Sequence, residues 1–113
     1  MNFNITQESG YVLIRSKVEK LDATTAPDLK NELIALNKSG INQVILDLTD
    51  SRYCDSSGLS AILAANRLCK DSNGQFILCG LQSNVSKLIA IAQLDKVLAI
   101  SDDASNALTM LNN

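Results

Sequence analysis

Aspartate and serine are the residues of this chain best suited to do chemistry together, and they meet at one place. In Val44 to Leu63, VILDLTDSRYCDSSGLSAIL, the run Asp55-Ser56-Ser57-Gly58 follows a β-rich apolar stretch and leads into a helical pattern. A helix start there sets two hydroxyls among the unsatisfied N–H groups of a first turn, where the backbone dipole favours negative charge. Asp55, Ser56 or Ser57 can each cap that helix, and Gly58 permits tight backbone packing. Serine hydrolysis is disfavoured because the chain has no histidine to serve as base, and no G-x-S-x-G frames either hydroxyl. Neither G-x-x-x-x-G-K-[ST] nor G-x-G-x-x-G occurs, so the run is not a nucleotide phosphate cradle. No catalytic residue is assigned.

The thiols offer no alternative chemistry. Cys54, Cys69 and Cys79 lack C-x-x-C spacing and a fourth partner, and without histidine a zinc site would rest on thiols and carboxylates alone. We expect no metal and no cofactor. Cys69 and Cys79 read as reduced core residues, while Cys54 borders the serine run without a cation cluster to lower its pKa. Asp47, inside the apolar run, is expected at a sheet face or strand end in a structural role. Arg52 and Lys20 are expected to be solvated, framing the surface electrostatically.

The composition narrows the function classes further. With 10 Lys+Arg against 12 Asp+Glu the formal charge is −2, which disfavours a nucleic-acid binder relying on counterion release. No apolar run approaches the ~18–20 residues of a membrane span, and no charged-then-apolar leader is evident. A cytoplasmic protein with no direct membrane insertion is therefore expected. At 46% hydrophobic and 19% charged, the chain is ordinary globular material without repeats or linkers, so residues 1–113 are expected to form a single domain.

Periodicity supplies the elements that must hold the serine run. Phe3 and Ile5 alternate, and Tyr11 to Ile14 follows the Ser9-Gly10 turn, which predicts a hairpin. Thr25 with Asp28 fits a capping box, Pro27 suits a first turn, and Leu29, Leu33 and Leu36 form a helical stripe ending near Gly40. Val44 to Leu48 predicts a strand buried on both faces. A loop over Asp50 to Asp55 then leads to a helix from Leu59 to Lys70, carrying Ile62, Leu63, Asn66 and Cys69. Asp71 to Gly74 is a turn, and Phe76 to Cys79 another buried strand. Ser83 is expected to cap a third helix through about Ala92, with Val85, Leu88, Ile89 and Ala92 inward. Val97 to Ile100 is a short strand, and Asp102 or Asp103 opens a last helix with Ala104, Ala107, Leu108 and Leu111. Strands interleaved with helices of this length predict an α/β fold, a mixed, mostly parallel β-sheet with about four helices.

On these residues the chain resembles the STAS domain family, named for sulphate transporters and anti-sigma-factor antagonists. The likeness rests on the strand VILDL, the aromatic Tyr53, and Cys54-Asp55-Ser56-Ser57-Gly58-Leu59 opening a helix. Leu21-Asp22 before a Thr-led helix, the strand QFILCGL, and Val85 and Leu88 in the third helix follow the family's order. The chain departs from the family's habit at Glu19-Lys20, where glycine and an acid are frequent, at Cys54, where a larger apolar residue is common, and at Ser60.

The resemblance, in its anti-sigma-factor antagonist branch, implies a switch. Ser56 would be phosphorylated by a partner that is both anti-sigma factor and serine kinase. The unphosphorylated form would bind that partner, and a PP2C-type phosphatase would restore it. The implied partner surface is Asp22, Ala23 and Thr24 with Asp55, Ser57, Gly58, Leu59 and Ile62. A phosphate adds roughly −1.5 to −2 of charge. The free N–H groups of the helix start are expected to accommodate it while it repels the partner, leaving the domain folded. The alternative is a STAS module without phosphorylation, serving as a scaffold or subunit of a membrane transport complex.

Overall fold

The structure, a computed structural model, describes residues 2–111. β1 (Phe3–Glu8) and β2 (Tyr11–Ser16) form the expected antiparallel hairpin, with Phe3 opposite Ser16 and Glu8 opposite Tyr11. β3 (Lys20–Leu21) leads to α1 (Ala26–Lys38). Then β4 (Gln43–Asp47), β5 (Tyr53–Cys54), α2 (Ser56–Asp71) and β6 (Gln75–Cys79) follow. The chain continues through α3 (Ser83–Ile91), a 3-10 turn at Leu94–Lys96, β7 (Ala99–Ser101) and α4 (Ala104–Leu111). The main sheet runs β1-β2-β4-β6-β7, and every pairing after the hairpin is parallel. It is the mixed, mostly parallel sheet that the alternating elements predict.

The two faces of the sheet are separate cores because side chains alternate along a strand. Val12, Ile14, Val44, Leu46, Phe76 and Leu78 point to one face, where they pack with Leu29 and Leu33 of α1 and Ile62 and Ala65 of α2. Ile45, Ile77 and Cys79 point to the other, against Ala107 of α4 and the half-buried Leu108, Met110 and Leu111. Cover on both sides is why β4 and β6 read as unbroken apolar runs. Asp47 closes β4 structurally: its Oδ1 accepts the Thr49 N–H at 2.9 Å and the Thr49 hydroxyl at 2.5 Å.

Helix ends are where the structure corrects the pattern. α1 stops as expected, with Gly40 at φ +90° and the Ile41 N–H bonded to Leu36 O at 3.0 Å. At its start, the Thr25–Asp28 capping box does not form. The Thr25 hydroxyl turns back instead, donating to Lys20 O at 2.8 Å and accepting the Asp22 N–H at 3.0 Å. α2 begins at Ser56, three residues before Leu59, because Asp55 takes the cap position. Ser83 is the first residue of α3 and not its cap; Gln82 precedes it and sends its amide to Thr49 O at 2.6 Å. Ala92 is exposed rather than inward, since α3 ends at Ile91 and the chain turns at Gln93 with φ +60°. The 3-10 turn delays β7 to Ala99 and leaves Val97 49% exposed. Of the two aspartates before α4, Asp103 is the cap, accepting the Asn106 N–H at 2.8 Å.

Candidate functional site

The stretch expected to be a plain loop over Asp50 to Asp55 contains β5, and this short strand assembles the site. It pairs in parallel with β3, Lys20 opposite Tyr53 and Leu21 opposite Cys54. Glu19 O accepts the N–H groups of Arg52 at 2.9 Å and Tyr53 at 3.1 Å, and Leu21 O accepts that of Asp55 at 3.2 Å. Below this ladder, the buried Ser51 hydroxyl donates to Val18 O at 2.7 Å and meets the Ser16 hydroxyl at 2.8 Å. Each buried hydroxyl is thereby satisfied, as burial requires. The result is one rigid seam holding the loop after β3 beside the start of α2.

Gly58 makes the seam tight. A Cβ there would run into Leu21 O and Cys54 Sγ, so the first turn of α2 lies directly against the β3–β5 pair. Ile62, one turn further, is 0% exposed and fills the core beneath. Both were expected in the partner surface. Their side-chain positions face inward, so Gly58 supports the surface and Ile62 anchors it, a burial worth about 1.5–3 kcal/mol.

At the helix start, Asp55 Oδ1 accepts the N–H groups of Ser57 at 2.8 Å and Gly58 at 3.1 Å. That identifies Asp55 as the cap among the three candidates. It also narrows the expectation of free donors awaiting a phosphate to the Ser56 N–H, because Leu59 N–H bonds Asp55 O at 3.0 Å as well. Ser56 is exposed, and its hydroxyl has no hydrogen-bond partner among the described residues. Ser57 and Leu59 are half-buried beside it.

The opposing lip is equally ordered. Asp22 Oδ1 accepts the Thr24 N–H at 3.0 Å and the Thr24 hydroxyl at 2.6 Å, with the Thr25 N–H at 3.3 Å. Hydrogen bonds from the Thr24 hydroxyl and amide hold its carboxyl below the usual carboxylate range. Asp22 is half-buried, while Ala23 and Thr24 are exposed. A shallow depression of about 190 Å³ separates the lips, bounded by Lys20, Asp22, Tyr53, Cys54 and Asp55. The structure thus brings Asp22, Ala23 and Thr24 to the same end of the domain as Asp55 and Ser56.

Tyr53, 42% exposed on this rim, was not among the expected surface residues. An aromatic side chain in a polar segment was the signal for it. Cys54, half-buried, has its thiol pushed up to about 11 by burial first and by the Asp55 charge second. It is therefore a poor thiolate, because burial and the Asp55 charge both disfavour the ionised form.

The STAS domain model matches residues 2–107. The chain belongs to the STAS domain family. It is 30% identical over 98% of its length to the anti-sigma F factor antagonist of Paenibacillus polymyxa, covering 97% of that protein. Its fold matches an anti-sigma factor antagonist from Mycobacterium paratuberculosis with a TM-score of 0.87 at 20% identity, covering 98% of this chain and 93% of that one. It also matches the Bacillus protein SpoIIAA at 18% identity in both states. The TM-score is 0.83 for the unphosphorylated form, over 97% and 96% of the two chains, and 0.74 for the phosphorylated form, over 96% and 97%.

Proposed function

We propose that this protein is an anti-sigma-factor antagonist that binds an anti-sigma factor with serine kinase activity and is switched off by phosphorylation of Ser56. The observation that carries this reading is the state of Ser56: exposed, unbonded, and held at the first position of α2 by the Asp55 cap. A hydroxyl in that state is accessible to a kinase. The relative from Paenibacillus polymyxa, named as an antagonist of this kind, supports the same reading. Asp22, Ala23, Thr24 and Asp55 supply the rim that the partner contacts, joined by Ser57, Leu59 and Tyr53. Phosphate at Ser56 adds about −1.5 to −2 of charge next to the Asp55 carboxylate at the edge of this rim. A PP2C-type phosphatase completes the cycle, and the protein needs no cofactor of its own.

The test is direct. Incubation with the anti-sigma serine kinase of the same organism and ATP is expected to add one phosphate, which mass spectrometry locates on Ser56. Ser56→Ala should take up none and should still bind the kinase. Equal labelling of Ser56→Ala and the parent protein would overturn the assignment.

A further inference from the structure

Beyond the rim, α2 presents a second surface, a groove bordered by two exposed cations. Ser56, Leu59, Leu63 and Arg67 of α2, Lys30 of α1 and Leu94 of the 3-10 turn line a groove of about 400 Å³. Its outward stripe continues through Ser60 and Ala64, small residues spaced to lie on one helix face with Ser56 and Arg67. Small side chains along such a stripe let a partner helix approach at the 8–10 Å typical of helix packing. From Ser56 to Arg67 the stripe rises about 16 Å, or three turns.

The charges say what that helix carries. Lys30 and Arg67 are both exposed, and neither has a salt-bridge partner; among the described residues the ion pairs are Arg15–Asp50 and Lys17–Asp50. Two unpaired cations therefore border leucines that are half-buried rather than sealed. The rim holds Asp22 and Asp55 together with Lys20, and Ser56 lies where rim and groove meet.

Resting on the proposed antagonist function, we infer that the α2 groove receives an amphipathic helix of the anti-sigma factor whose apolar stripe is flanked by acidic side chains, paired with Lys30 and Arg67. A phosphate on Ser56 would meet the end of that acidic helix, which ties the sign of the switch to the sign of the partner. Such charges act most strongly on encounter rate and salt dependence.

The experiment measures binding of the full chain to the purified serine-kinase anti-sigma factor by calorimetry at 50 and 300 mM salt. Lys30→Glu/Arg67→Glu should weaken binding at least tenfold at low salt and flatten its salt dependence. Lys30→Gln/Arg67→Gln should lose less. Both pairs lie on the surface, and matching melting curves will show that the fold is kept. Undiminished binding by the Glu pair would overturn the groove assignment while leaving the antagonist function standing. Equal losses from the Gln and Glu pairs would point to shape and overturn the acidic partner. Failure of the parent protein to bind the kinase would overturn both readings.

Discussion

Replacing Gly58 with alanine sets helix propensity against packing, and the two disagree in sign. Gly58 is the third residue of α2. Propensity alone says that alanine in a helix is better than glycine by about 0.8–1 kcal/mol. In the fold, however, the new methyl meets Leu21 O, Cys54 Sγ and the Leu21 side chain. Leu21 O is backbone, held in the β3–β5 seam and engaged with the Asp55 N–H at 3.2 Å. It cannot swing away as a side-chain tip would. Overpacking of this kind costs about 1–3 kcal/mol, and weakening the Asp55 bond adds about 0.5–1.5 kcal/mol. Packing wins, for a net loss of about 0.5–3.5 kcal/mol. Urea unfolding followed by circular dichroism should show a midpoint lowered by about 1 M, taking a slope of 1–3 kcal/mol/M. Cys54→Ala in the Gly58→Ala background removes the sulfur contact but not the carbonyl, so it should recover only part of the loss. A Gly58→Ala protein as stable as its parent, or more so, would refute the contact between α2 and the seam.

Other consequences are simpler to measure. Asp55→Ala removes the acceptor for two N–H groups and should cost about 1 kcal/mol, a fall in melting temperature of about 5 °C; Asp55→Asn, which can still accept, should melt near the parent, and equal melting of all three would deny the cap. With its thiol at about 11 against an ordinary 9.0, Cys54 should carry about a hundredfold less thiolate at neutral pH. Its alkylation rate should climb roughly tenfold per pH unit from 7 to 10, and a plateau near pH 9 would contradict the burial. The lowered Asp22 carboxyl contributes stability that is present above the unfolded pKa and lost as pH falls through the folded one. The urea midpoints of the parent and Asp22→Asn should therefore differ at pH 7 and converge as pH falls below the ordinary carboxylate range; a constant gap would remove the charge from the Asp22 loop's stability.

What the sequence revealed followed from period, and what it hid followed from contact. The buried strands, the Leu29–Leu33–Leu36 stripe and the Gly40 stop depend on residues within a few positions of one another, so pattern alone exposed them. Thr25 failed as a capping box because its hydroxyl was claimed by Lys20 O and the Asp22 N–H, a competition among local hydrogen bonds that propensity cannot rank. β5 was hidden for a different reason. Two residues have no period, and Tyr53-Cys54 becomes a strand only because Lys20-Leu21 lies beside it. The same seam supplies the partner for the tight backbone packing expected at Gly58, which the sequence alone could not name. Ile62 had two readings, in the helix's apolar stripe by period and on the partner surface by resemblance, and its burial fits the stripe.

The corrected start of α2, at Ser56, alters how the proposed switch works. A helix N-terminus ordinarily welcomes a phosphate through its first N–H groups. Here Ser57 and Gly58 already give theirs to Asp55 Oδ1, and Leu59 gives its own to Asp55 O. A phosphate on Ser56 could collect them only by displacing the cap that defines the helix. With the cap in place, the new charge has the Asp55 carboxylate as its sequence neighbour, and the cations of its groove, Lys30 and Arg67, stay exposed on the partner-facing side. It therefore projects towards solvent and the partner, and its cost falls on binding rather than on folding. Loss of about 3 kcal/mol there weakens affinity more than a hundredfold. Phosphorylated and parent proteins should then share one helical dichroism spectrum while differing by that factor in kinase affinity. A phospho-form that loses helical signal would mean that the phosphate had taken the cap's donors after all.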